Sequence, residues 1–199
     1  MIASLKYNEK FGLEKIDKLE GENSLVNRLK SGDRLSQSEC YNLYVGKMYT
    51  IALRYTSSKE DAREVINTAF LKVYNSIQSF QFKGSFEGWI RTIVKRASID
   101  HCRKYVYNNV PTYEILEFDS KVYNDAINNL EVQDFLQLIV KVPEASRIVF
   151  NLFAIEGYSH KEISKELNIS EGTSKWHLSN ARKKLINIIN LEKHGHGRS

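Results

Sequence analysis

Gly157-Tyr158-Ser159-His160-Lys161-Glu162-Ile163-Ser164-Lys165-Glu166-Leu167-Asn168-Ile169-Ser170-Glu171-Gly172-Thr173 is the stretch from which the fold is read. Ser159 and Glu162 have the S-x-x-E spacing of a capping box, in which each side chain satisfies a free N–H at a helix start. One short helix follows, with Ile163 and Leu167 turned inward. Asn168-Ile169-Ser170 makes a tight turn that Ile169 plugs. Ser170 caps a second helix, and Glu171 in its first turn suits the positive end of the helix dipole. Two short helices joined in this way form a helix-turn-helix.

The second helix can be laid out at about 100° per residue. Ser174, Leu178, Ala181 and Leu185 then fall on one side, toward a core. Gly172, Lys175, Trp176, Ser179, Asn180 and Lys183 fall on the other. A tryptophan pointing outward among lysines and asparagine needs a partner, and in a recognition helix that partner is the major groove. Asn180 and Ser179 offer hydrogen bonds to base edges. Lys175 and Lys183 offer charge to phosphates or to guanine, and Trp176 offers apolar contact to a thymine methyl. From Glu171 to Leu185, four bases against one acid give +3. The plain alternative is a helical hairpin with a solvated basic face.

Outward from this motif, helical periodicity dominates and sustained alternation is lacking, so the chain is read as all-α. Short and longer helices are predicted over 24–30 and 36–56, the latter with Leu43, Met48, Ile51, Ala52 and Tyr55 near one face. Residues 59–78 are strongly amphipathic. Ala62, Val65, Ile66, Ala69, Phe70, Val73 and Ile77 recur at spacings of three and four, opposite Asp61, Arg63, Glu64, Asn67, Thr68 and Lys72. The loop Ser79-Phe80-Gln81-Phe82-Lys83-Gly84 follows, and Ser85 is a candidate N-cap for a helix to about Tyr105. Pro143 is read as the first residue of another helix.

The helix that begins at Ser85 carries a second basic site. Arg91, Lys95, Arg96, Arg103 and Lys104 against Asp100 give +4 between Gly88 and Lys104. Phe80, Phe82, Phe86 and Trp89 lie beside it. Rings next to cations suit unpaired DNA, where bases stack on rings and cations track the backbone. The competing reading makes these rings core, above all Trp89 through its helical spacing with Ile93.

The 199 residues carry 29 Lys+Arg and 24 Asp+Glu, a formal net charge of +5. That modest total conceals a contrast. Six acids and one base between residues 109 and 135 give −5, so the remainder holds +10. Apolar content of 42% excludes wholesale disorder. No apolar run reaches membrane-spanning length and no secretory signal is visible. Cys40 and Cys102 lack metal-ligand or disulfide spacing, which suits a reducing cytoplasm. No catalytic constellation is evident, so no enzyme activity, cofactor, metal or small-molecule substrate is expected.

At this point three blocks resemble one family. Asp61-Ala62-Arg63-Glu64-Val65-Ile66-Asn67-Thr68-Ala69-Phe70 is similar to a signature of bacterial RNA polymerase sigma factors. Ser85-Phe86-x-x-Trp89-Ile90-x-x-Ile93 with Ile99-Asp100-x-x-Arg103-Lys104 resembles the next conserved block. The stretch Gly157 to Thr173, followed by Ala181-Arg182-x-x-Leu185, resembles the last. The order and length resemble the extracytoplasmic-function (ECF) group, which keeps regions 2 and 4. This implies two small helical domains joined by a flexible linker. Residues 1–23 form an N-terminal extension, 24–108 region 2, 109–127 the acidic linker, 128–192 region 4 and 193–199 a disordered tail.

The resemblance also implies roles. Asp61, Glu64, Asn67 and Thr68 would bind core RNA polymerase, with Asn67 and Thr68 replacing the usual Gln and Glu. Phe80, Gln81, Phe82, Lys83, Ser85, Arg91, Lys95, Arg96, Asp100, Arg103 and Lys104 would bind the promoter minus-ten element, Arg96 standing where Asn is common. Ser170, Glu171, Thr173, Lys175, Trp176, His177, Ser179, Asn180 and Lys183 would bind the minus-thirty-five element, Trp176 and His177 replacing the usual Ser and Arg. The linker would run through the polymerase channels, its charge imitating RNA or simply solvating it. An anti-sigma protein is a further implied partner, since domains this small are marginal alone. Two rivals stand beside this reading. A helix-turn-helix repressor or activator leaves the second basic site idle, and a helical interaction protein predicts binding without a two-part promoter.

Overall fold

The computed structural model describes residues 20–108 and 130–195, and every regular element among them is helical. The acidic linker, residues 1–19 of the extension and residues 196–199 lie outside the described residues.

The first domain contains α1 (20–30), α2 (Arg34–Leu53), α3 (Lys59–Ser76), a single 3-10 turn (Ile77–Ser79) and α4 (Phe86–Asn108). The starts of α2, α3 and α4 have local causes. Asp33 Oδ1 accepts from the Leu35 N–H at 3.0 Å, Ser58 Oγ from Asp61 at 3.0 Å, and Ser85 Oγ from Gly88 at 3.1 Å. Helix α3 buries the six apolar residues Ala62, Val65, Ile66, Ala69, Phe70 and Val73 of its predicted stripe against α2 and α4. Residues 20–23, inside the span assigned to the extension, are already part of helix α1.

The second domain contains α5 (Leu130–Ile139), α6 (Glu144–Phe150), α7 (His160–Leu167) and α8 (Glu171–Gly195). Pro143 stands one residue outside α6, at its cap with φ −52° and ψ 136°, rather than inside the first turn. Helix α6 widens into a π-type turn over Asn151–Ile155, closed by the Glu156 N–H donating to the Asn151 carbonyl at 3.0 Å. Helix α8 packs on α6 and α7 and continues through Lys193, His194 and Gly195, which composition assigns to a tail.

The two domains pack together through α4 against α6 and α7. Arg147 is 2% exposed there and Asn151 fully buried. Arg147 Nη2 donates to Ser57 Oγ at 2.9 Å, and Ser57 Oγ donates to Glu144 Oε2 at 2.8 Å. Burial lowers the Arg147 pKa and raises that of Glu144, the latter opposed by the Ser57 hydrogen bond and the Arg147 charge. No helix among the described residues is long and apolar enough to cross a membrane.

Candidate nucleic-acid interface

The capping box closes as its spacing requires. The Ser159 N–H donates to Glu162 Oε2 at 2.8 Å, and the Glu162 N–H donates to Ser159 Oγ at 3.2 Å. The backbone N–H of Ser159, then its hydroxyl, hold the Glu162 carboxyl below its ordinary pKa. Asn168 ends α7 in the left-handed region at φ 52°, where its short polar side chain is tolerated. Ser170 Oγ accepts from the Thr173 N–H at 2.9 Å and opens α8. His160 ties the helices together, its Nδ1 2.9 Å from Ser174 Oγ and its ring stacked on Phe153 at 4.7 Å.

Ser174, Leu178 and Ala181 are buried, as their angles predict. Ser170, Glu171, Thr173, Lys175, Trp176, Ser179 and Lys183 are exposed, Trp176 to 61%. Two residues of the expected set are not on that face. His177 is buried, with Nδ1 3.0 Å from Ser146 Oγ on α6. Asn180 is half-buried and donates to the same Ser146 oxygen at 3.1 Å. They brace α8 against α6.

Burial holds the His177 pKa below its ordinary 6.5. The folded state therefore resists a proton that the unfolded chain accepts below that pH. Unfolding takes up protons, and stability falls as pH drops from 7 toward 5. Glu144, with its raised pKa, acts oppositely, since the folded chain binds its proton first. A His177→Gln variant isolates the histidine, and its melting temperature is expected to fall less on acidification than that of the parent chain. Parallel melting curves for the two chains would show that His177 titrates normally.

In the first domain, Phe80 is 4% exposed, and its ring lies 5.2 Å from Phe82, 5.2 Å from Phe86 and 5.4 Å from Trp89. Of the two loop rings only Phe82 stands out, 43% exposed with φ 57°. A left-handed phenylalanine costs about 1–3 kcal/mol and persists only where its surroundings enforce it. Lys30 of α1 supplies part of that enforcement. Its Nζ donates to the Phe80 carbonyl at 2.7 Å and lies 4.7 Å from the Phe82 ring centroid. Gln81, Lys83 and Ser85 are exposed, and with Phe80, Trp89 and Thr92 they line a concavity of about 440 Å³.

On α4, Arg91 and Lys95 reach Glu156 of the second domain at 3.3 and 3.5 Å, and Arg103 Nη2 donates to the Glu166 carbonyl at 3.0 Å. Arg96 is exposed. Asp100 pairs with Lys72 at 3.5 Å and with Arg103 at 3.7 Å. The Lys104 side chain lies outside the described residues.

On α3, Glu64, Asn67 and Thr68 are exposed, whereas Asp61 is half-buried with Oδ1 3.2 Å from His101 Nε2. Leu71, 63% exposed, continues their stripe, and its place three residues after Thr68 was a readable sign. Lys30 and Arg54 had no such sign, because their partners lie 50 and 102 residues away.

Residues 40–106 match the model of Sigma-70 region 2, and residues 133–185 match that of Sigma-70 region 4. The chain belongs to the sigma-70 family, in its ECF group. It is 28% identical over 172 residues to the ECF RNA polymerase sigma factor SigW of Bacillus subtilis, covering 80% of this chain and 92% of that one. It is 25% identical over 177 residues to the ECF RNA polymerase sigma-E factor of Escherichia coli K12, covering 83% and 92%. Among solved structures, the Bartonella quintana sigma factor RpoE, crystallised with the anti-sigma factor NepR, is 18% identical with TM-score 0.46, covering 77% of this chain and 96% of that one. The helix-turn-helix is thus part of region 4 of this sigma factor, and the aromatic loop with α4 is part of region 2.

Proposed function

We propose that this sigma factor binds core RNA polymerase, recognises a two-part promoter and promotes melting of its downstream part. The observation that carries the reading is Trp176, left 61% exposed on a capped recognition helix whose neighbouring Leu178 and Ala181 are turned toward the core. Region 4 would place Trp176, Lys175, Ser179 and Lys183 in the major groove at the minus-thirty-five element, with His177 and Asn180 holding the helix rather than reading bases. In region 2, Phe82 would receive an unstacked minus-ten base beside Gln81, Lys83 and Ser85, while Arg91, Lys95 and Arg96 follow the backbone. Glu64, Asn67, Thr68 and Leu71 would dock on polymerase. An anti-sigma protein remains part of the proposal as a regulator of the free chain.

The direct test adds purified chain to core polymerase on genomic DNA and maps transcript starts. Starts sharing two upstream elements, absent without the chain, are expected. Binding to polymerase without new starts, or DNA binding unaffected by polymerase, would favour a repressor-like role instead.

A further inference from the structure

Glu156 is a region 4 residue held entirely by region 2 cations. Its Oε1 lies 3.2 Å from Arg54 Nη2 and 3.3 Å from Arg91 Nη2, and its Oε2 lies 3.5 Å from Lys95 Nζ. The carboxylate side chain is 7% exposed, Arg54 11% and Lys95 16%. Arg54 ends α2, while Arg91 and Lys95 stand four residues apart on one face of α4. The π-type turn sets the reach of Glu156, and Asn151 within it donates its side-chain amide to the Arg54 carbonyl. Three positive charges therefore converge on a single negative one. The niche retains excess positive charge in the closed molecule.

We propose that Arg54, Arg91 and Lys95 form a binding site for a DNA backbone phosphate, and that Glu156 fills it in the free chain as an internal surrogate. A phosphodiester offers the same charge on two outward oxygens, and arginine forks bind either anion. The niche is built on the same helix as the aromatic cluster, so a strand bound in it continues toward Phe82. The surrogate belongs to the other domain. DNA can enter only when region 4 leaves, and the Arg103–Glu166 and Arg147–Ser57 contacts break with it. DNA binding and domain opening are then linked, each favouring the other by the same factor. That the phosphate comes from DNA rests on the promoter-binding reading; the niche and its carboxylate do not.

The test uses the full chain with dyes on Asn75→Cys and Lys161→Cys, both at exposed sites in opposite domains. The native Cys40 and Cys102 are buried, and burial pushes the Cys40 thiol up to about 12, so neither competes for label. The probe is a fork oligonucleotide with a single-stranded minus-ten segment and no upstream element. Adding it to the parent chain is expected to lower energy transfer between the domains. Glu156→Gln should start with lower transfer and bind the fork about tenfold more tightly. Arg54→Gln should also open the pair yet bind the fork more weakly than the parent. Equal tightening by both variants would reduce the niche to a mere latch and overturn the proposal, as would unchanged affinity of Glu156→Gln or full energy transfer in the DNA-bound parent. If core polymerase with the chain gives no promoter-specific transcripts while Glu156→Gln still opens and tightens, the functional reading fails and the niche stands.

Discussion

Phe80→Ala is expected to lower the unfolding free energy by about 3–5 kcal/mol, and Phe82→Ala by less than about 1 kcal/mol. The residues are two apart in one loop and have the same side chain, but their surroundings differ. Phe80 is 4% exposed and touches three rings, so its removal leaves a void among Phe82, Phe86 and Trp89. Folded domains have about 5–15 kcal/mol in total, and this loss is a large part of that. Urea unfolding followed by tryptophan fluorescence measures it, because Trp89 is one of the rings disturbed. Phe82 is 43% exposed and has little packing to lose. On the proposed function its effect falls on DNA instead, where a stacked base contributes about 1–3 kcal/mol. Permanganate reactivity of promoter thymines with the Phe82→Ala holoenzyme should drop by roughly 5- to 150-fold in the equilibrium constant for opening. A Phe80→Ala chain as stable as the parent would refute the core assignment, and unchanged thymine reactivity with Phe82→Ala would refute the stacking role.

The difference between these two rings marks what a sequence discloses. Caps and turns are local, so Ser85, the Ser159–Glu162 box and Ser170 were all legible from spacing. The stripe of α3 and the turn after it was legible because seven apolar residues between 62 and 77 recur at spacings of three and four. Helix α2 was harder. Its buried ridge runs Cys40, Tyr44, Met48, Ala52, flanked by Val45 and Tyr49, which leaves Leu43 59% exposed despite its apolar character. His177 follows buried Ser174 by three residues and precedes buried Ala181 by four, so its spacing already favoured the core. Residue type and the family position drew it to the DNA face instead. Asp61 met His101 and Asn180 met Ser146 across helix interfaces, contacts that no single helix encodes. The niche around Glu156 joins residues up to 102 positions apart and has no sequence pattern at all.

Trp176→Ala is the complementary experiment to the Phe pair, with its large effect on binding and little on folding. The indole meets His177 edge-on at 4.8 Å and is otherwise open to solvent at 61%. Truncation at such a site changes stability by no more than about 0.5 kcal/mol. Good base-edge contacts discriminate by about 1–3 kcal/mol, so affinity for a duplex carrying the upstream promoter half should fall by roughly 5- to 150-fold. The fall should be largest for the preferred upstream sequence and small for unrelated duplex, since an indole carries no charge for phosphates. Lys175→Ala serves as the contrast. It should weaken all duplexes alike and lower the salt slope by about one, the signature of a lost phosphate contact. Core polymerase affinity should stay unchanged in both, because the proposed docking stripe of Glu64, Asn67, Thr68 and Leu71 lies on the other domain. Loss of polymerase binding with Trp176→Ala would move the exposed indole from the DNA face to the polymerase interface. Equal losses on preferred and unrelated duplex would leave region 4 as a non-specific clamp and shift promoter choice to the loop around Phe82.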